Sequence, residues 1–189
     1  MFIASAKRKE NIAEYLLYMW QIEDIIRANS LDIDLIKRNV IDKLPELGAE
    51  EKSQLTDWYE SLIDMMRREE VMGQGHLQIN RNVLGSLAEL HHRILEDKDP
   101  KFDDYRAEFY RTLPFIVELR ARSGENKPGE IETCFNALYG MLMLRISGKE
   151  VTDATRDAVA QISRFIALLA KDFHLDEEDK LFPHKDDTL

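Results

Sequence analysis

The sequence predicts an all-α protein, an up-and-down bundle of about seven helices. Apolar residues recur at three- and four-residue spacing along nearly the whole chain, and no stretch alternates as a half-buried strand would. Breaks built from proline, glycine or clustered polar residues fall at helix-length intervals. The connections they leave are short, which favours antiparallel neighbours, and no internal repeat suggests a helical solenoid.

The spacing predicts helices over about 8–28, 31–43, 50–71, 77–96, 101–122, 129–146 and 153–173. Asn29-Ser30 offers an N-cap to the second, and Pro45 with Gly48 closes it. Gly73 and Gly75 interrupt the third, and Asp97-Lys98-Asp99-Pro100 separates the fourth from the fifth. Pro114 lies inside the fifth, where a missing N–H and a ring clash predict a kink or a break. Ser123 to Gly129 is the clearest loop, and Pro128 suits the first turn of the sixth helix. Ser147-Gly148 ends that helix, and Thr152 with Asp153 can cap the seventh. This organisation predicts one helical domain over 1–175, followed by a charged, frayed tail over 176–189.

Two helices stand apart. Tyr15-Leu16-Leu17-Tyr18-Met19-Trp20 in the first and Cys134 to Ile146 in the sixth are apolar on nearly every side. A helix apolar all round is expected to be buried all round, so the sixth is placed at the centre with the first against it. Cys134, Leu138 and Leu142 are then inaccessible, and Gly140, costly within a helix, marks a close crossing.

Composition excludes some functions. With 44% hydrophobic and 33% charged residues the chain is globular, and its net charge of −10 argues against nucleic acid as a partner. Cys134 is the single cysteine, which allows no intramolecular disulfide and favours a reducing compartment. No signal peptide is read in Met1 to Glu10, and the longest apolar run is too short to span a bilayer. A cytoplasmic protein without a membrane partner is expected.

Four segments carry a family resemblance. They are Glu14 to Asp24, Gly75-His76-Leu77-Gln78-Ile79-Asn80, Leu113 to Arg120, and Glu130 to Gly140. With them the chain resembles a family of uncharacterised all-helical proteins from Bacteroidetes. The resemblance spans most of the chain and implies a bacterial, cytoplasmic, whole-chain domain. It implies no activity, cofactor or catalytic residue.

The residues themselves carry no catalytic signature. Glu89-Leu90-His91-His92 has the Glu-x-x-His spacing of di-iron bundles, but a second copy is missing, and Glu89 and His92 fall opposite the apolar stripe of Leu84, Leu87 and Ile94. Zinc spacings, phosphate-cradling glycine loops and nucleophile elbows are absent from the sequence, so no metal, cofactor or catalytic residue is assigned.

The informative signal is polar residues on apolar stripes. Glu23 is surrounded by Ile12, Leu16, Met19 and Ile26, with Arg27 one turn on. His76, Asn80 and His91 share a stripe with Val83, Leu84 and Leu87. Arg120 falls on the line of Phe109, Leu113 and Ile116, and Arg145 lies with Leu138 and Leu142. A charge in a dry interior must be paired, so Glu23 is expected to be buried with Arg120 or Arg27 as partner.

Two readings of function follow. In the first the chain is a self-associating interaction module, with Trp58, Tyr59, Met65, Met66 and Tyr110 as surplus apolar surface. A homodimer is its expected form. In the second, Glu23, Arg27, His76, Asn80, His91 and Arg120 line a pocket for a small molecule, with Glu23 or a histidine as base.

Overall fold

The computed structural model describes residues 2–124 and 127–182, with Phe2 described by its backbone alone. Among these residues the protein is an all-α helical bundle, with eight α-helices and no strand. They are α1 (Phe2–Glu10), α2 (Ile12–Ala28), α3 (Ile33–Asn39), α4 (Ala49–Arg68), α5 (Gln78–Glu96), α6 (Asp103–Arg122), α7 (Glu130–Ile146) and α8 (Asp153–Glu177). Short 3-10 turns at Ile41–Lys43 and Pro100–Phe102 continue α3 and precede α6.

The first expected helix is two helices. Asn11 breaks it, because its side-chain Oδ1 accepts the Ala13 N–H at 3.0 Å and so caps α2. Capping also moves the next boundary. Asp32, not Asn29 or Ser30, accepts the N–H groups of Asp34 and Leu35 and starts α3. At α4 the Glu51 carboxylate reaches back to the Gly48 N–H at 2.8 Å. At α8 the Thr152 hydroxyl accepts the Thr155 N–H, as its position suggests. Pro114 leaves α6 unbroken, and its ring sits on an exposed face.

The chain divides into two compact units. Unit 1 takes Met1–Glu10 and Glu14–Val83, and unit 2 takes Asn11–Ala13 and Leu84–Leu189. In unit 1 the core gathers Leu16, Met19, Trp20 and Ile26 of α2, Ile36 of α3, and Leu62, Ile63 and Met66 of α4. In unit 2 it gathers Leu87 and Ile94 of α5, Phe109 and Ile116 of α6, Cys134 and Phe135 of α7, and Phe165 and Leu169 of α8.

The sixth expected helix, now α7, is only half buried. Ile131, Cys134 and Phe135 are covered, but Leu138 and Leu142 are partly exposed and Ile146 is 66% exposed. Its composition allows burial on every side, yet beyond Phe135 only Met141 is buried. Gly140 is exposed, and a Cβ there would meet nothing within 4 Å, so no helix crosses close to it.

The segment expected to fray from Asp176 is held as far as it is described. Arg93 grips the Asp176 carboxylate with two hydrogen bonds of 2.8 and 3.0 Å, and its guanidinium lies 4.3 Å from the Phe182 ring centre. Lys101 Nζ donates to the Leu181 carbonyl at 2.6 Å, and Leu181 is buried. Residues 183–189, with Glu125 and Asn126 of the loop before α7, lie outside the described residues.

Helix ends test the local rules. After α4 the Val71 N–H bonds the Met66 carbonyl, which requires the residue between cap and return to be left-handed, and Glu70 sits there at φ 58°. A side chain in that conformation costs about 1–2 kcal/mol that glycine avoids, less about 0.5–1 kcal/mol for the entropy glycine adds to the unfolded chain. Glu70→Gly is therefore expected to stabilise unit 1 by about 0.5–1 kcal/mol. Thermal melting followed by tryptophan emission checks it, since Trp20 and Trp58 both lie in unit 1; an unchanged or lower midpoint counts against it.

Candidate functional site

In unit 1 the polar centre is Glu23. It projects from the apolar face of α2 and is fully buried. Its Oε1 accepts the Leu77 backbone N–H at 2.8 Å and Asn80 Nδ2 at 2.7 Å, while His76 Nδ1 lies 2.6 Å from Oε2. A carboxylate only accepts, so the His76 Nδ1 carries the proton it shares. The carboxylate thus caps the start of α5 from another helix, where the orphan N–H groups and the helix dipole both favour negative charge. Glu69 adds a second cap, accepting the Gln78 N–H at 2.6 Å.

Neither expected arginine completes Glu23. Arg27 instead binds Asp24 at 2.9 Å and the carbonyls of Val71, at 3.1 Å, and Gly75. A carboxylate aimed at three donors on the 76–80 segment needs no guanidinium. Arg27 holds the other end of that segment, where Gly75 adopts φ 82°. The His76 ring lies flat on Trp20, with centroids 4.1 Å apart and planes 10° from parallel. Its side chain is 29% exposed. His76 and Asn80 thus meet on Glu23, and Arg27 reaches the same segment at the Gly75 carbonyl.

Arg120 and His91 do not join them. Arg120 belongs to α6 in unit 2, where its buried Nε has no hydrogen-bond partner among the described residues. Arg145 is exposed near the end of α7 and reaches no buried network. His91 builds a second centre in unit 2. Its Nδ1 lies 2.8 Å from the Tyr105 hydroxyl and its Nε2 3.4 Å from Glu130 Oε2. Phe109 and Phe165 pack edge-on against the ring at 4.7 and 5.6 Å. One imidazole therefore touches residues of α6, α7 and α8 from its place on α5.

Burial sets the charge states around His91. Desolvation pushes its pKa below the ordinary value of 6.5, against the pull of Glu130. Burial raises the Tyr105 hydroxyl far above its usual range, and the charges of Asp172, Cys134 and Glu130 add to this. It also pushes the Cys134 thiol up to about 12, with Glu130 adding to the shift. A thiol that far from ionising is inert as a nucleophile.

Sequence reasoning missed a third polar knot. Glu108 and Thr112 of α6 and Gln161 of α8 are buried, and Gln161 Nε2 donates to Glu108 Oε1 at 2.8 Å and Thr112 Oγ1 at 3.1 Å. Arg111 binds the other Glu108 oxygen, and Arg164 donates to Gln161 Oε1 at 2.5 Å. The spacing Tyr105, Glu108, Thr112 was a legible signal, for it runs along the buried face of α6. Glu89 and His92 are exposed, and among the described residues no group of three or more His, Cys, Asp or Glu could hold a metal ion.

Residues 1–180 match the family described as Domain of unknown function (DUF4924). The chain belongs to this family. No curated protein and no solved structure matches it. Membership extends over all the described helices and assigns no chemistry to either centre.

A cap made by a buried charge has a measurable cost when lost. Glu23→Ala strands three donors and is expected to destabilise unit 1 by about 3–5 kcal/mol. His76→Gln, at a partly exposed position, is expected to cost no more than about 1–2 kcal/mol. Urea unfolding followed by tryptophan emission separates the two, and equal losses would contradict the geometry.

Proposed function

We propose that this protein is an interaction module that associates with a second copy of itself through the uncovered length of α7. The observation that carries this reading is the mismatch between the composition of α7 and its burial. The helix is apolar on nearly every side, yet Leu138, Tyr139, Leu142, Met143 and Leu144 are only partly covered and Ile146 is 66% exposed. Single exposed apolar residues are ordinary, but a run of them along one helix marks an interaction surface. A cleft of about 400 Å³ adjoins it in unit 2, with Phe115, Leu119, Ala158 and Val159 on its walls and Ala137 of α7 at its edge. Methionine and tyrosine are among the residues enriched at protein interfaces.

The second reading, a small-molecule site on the polar residues, has less support. The Glu23 and Glu108 carboxylates are occupied by donors of the chain itself, which is how a structural anchor looks. Of the six residues grouped as a ligand site, Glu23, Arg27, His76 and Asn80 meet in unit 1, His91 belongs to a second centre in unit 2, and Arg120 joins neither. We further infer a bacterial, cytoplasmic protein of Bacteroidetes origin. The single buried thiol supports a reducing compartment, and no described helix is long and apolar enough to cross a membrane.

Two copies each carrying a net charge of −10 repel, so the apolar contact must outweigh that repulsion and should strengthen with salt. Size-exclusion chromatography with light scattering at about 10–100 μM and physiological salt is expected to report twice the chain mass. Met143→Asp with Ile146→Asp, both at accessible positions, is expected to return the mass of one chain with unchanged helicity. A wild-type monomer throughout that range overturns the proposal.

A further inference from the structure

We propose that His91 is an acid-operated latch, holding unit 2 closed while its ring is neutral and releasing the unit when the ring takes up a proton. The hydrogen bonds define the neutral form. Glu130 can only accept, so His91 Nε2 carries the ring proton, and Nδ1 is then the acceptor for the Tyr105 hydroxyl. Every polar atom of the ring is satisfied in this arrangement, and the four helices α5 to α8 meet around it.

A second proton has only one place to go. It must enter at Nδ1, which then becomes a donor facing a donor. The Tyr105 hydroxyl would have to turn and accept, sending its own hydrogen into a site where Tyr105 is buried. The groups facing the ring decide whether this is tolerable. From α6 come Tyr105 and the apolar Phe109, and from α8 Phe165, with Asp172 acting on the Tyr105 hydroxyl by charge. From α7 come Glu130, partly exposed and so weakened as a counter-ion, and the un-ionised Cys134. His92, next along α5, adds a repulsive charge when it too is protonated.

Burial lowers the pKa of His91, so the sign of the linkage follows. The closed form gives up protons that the opened form binds. Stability contributed by the neutral ring is present above the ordinary value of 6.5 and is lost as pH falls through the window below it. Asp172, raised by burial, acts with the opposite sign. For this reason variants at the latch, and not acid stability alone, carry the test.

Cys134 is the chain's one thiol and lies buried in unit 2, whereas both tryptophans lie in unit 1. The two units therefore report separately. Labelling of Cys134 by 4,4′-dithiodipyridine, which reacts with thiols in acid, is followed from about pH 7.5 to 5, with tryptophan emission recorded alongside. Relative to His91→Phe at each pH, the wild type is expected to label faster as pH falls, by up to about tenfold per pH unit for a one-proton opening. Tryptophan emission is expected to follow the same course with pH in the wild type and in His91→Phe. Tyr105→Phe removes the hydroxyl that donates to the neutral ring, which brings the closed-form pKa of His91 back toward the ordinary value, so its acceleration should begin in the same window but level off at higher pH and reach a smaller total. The same acid response in His91→Phe, a Tyr105→Phe acceleration as large as that of the wild type, or a tryptophan response that differs between the wild type and His91→Phe overturns the proposal. If His91→Phe does not fold, the smaller total acceleration in Tyr105→Phe decides.

Discussion

A carboxylate sealed from water must be completed by donors, and in unit 1 the completion of Glu23 decides where a helix begins. The first N–H groups of α5 have no partner within that helix, and the apolar face of α2 has no other acceptor to offer them. Bringing the two together answers both needs at once. The segment 71–77 follows from it, because Arg27 takes the carbonyls of Val71 and Gly75 while Glu23 takes the N–H of Leu77. Trp20 then supplies the flat surface on which His76 rests. Remove the carboxylate, and the cap, the loop and the stacked ring lose the group that orients them.

Unit 2 solves a similar problem with weaker charges. Its central polar group is an imidazole, which can be neutral at no great cost, and its hydrogen bonds run to α6 and α7. The Glu108 knot lies between α6 and α8 and is satisfied by an amide, a hydroxyl and two arginines. Such networks demand one register of the helices, since a shift of one turn would leave each member unpaired in a dry interior. The wholly buried carboxylate of unit 1 is held by three donors, and the buried imidazole of unit 2 lies between a hydroxyl and a carboxylate.

The surface of α7 connects fold to function. Hydrophobicity on every side is a costly property for a helix that its own fold covers only in part. Ile146 is largely exposed and Leu142, Met143 and Leu144 are only half-buried within the isolated chain, which is why a second copy is the occupant proposed. The polar centres, by contrast, are turned inward and largely saturated by the chain.

Much of the architecture was legible from residues alone. The helical class, most helix limits and the burial of Glu23 follow from periodicity, because the stripe of Ile12, Leu16, Met19 and Ile26 leaves Glu23 no other direction. Local capping was legible in part. Thr152 was found, but Asn11 and Asp32 compete with equally polar neighbours, and only the backbone path selects the side chain that bonds. Partners across helices were not legible. A buried carboxylate predicts donors in general, and arginine is the natural guess. That the donors are His76, Leu77 and Asn80 depends on which helix end arrives beside α2. The same holds for α7, whose composition allows burial on every side. How much of it is covered is decided by the reach of α6 and α8, which no property of α7 itself contains.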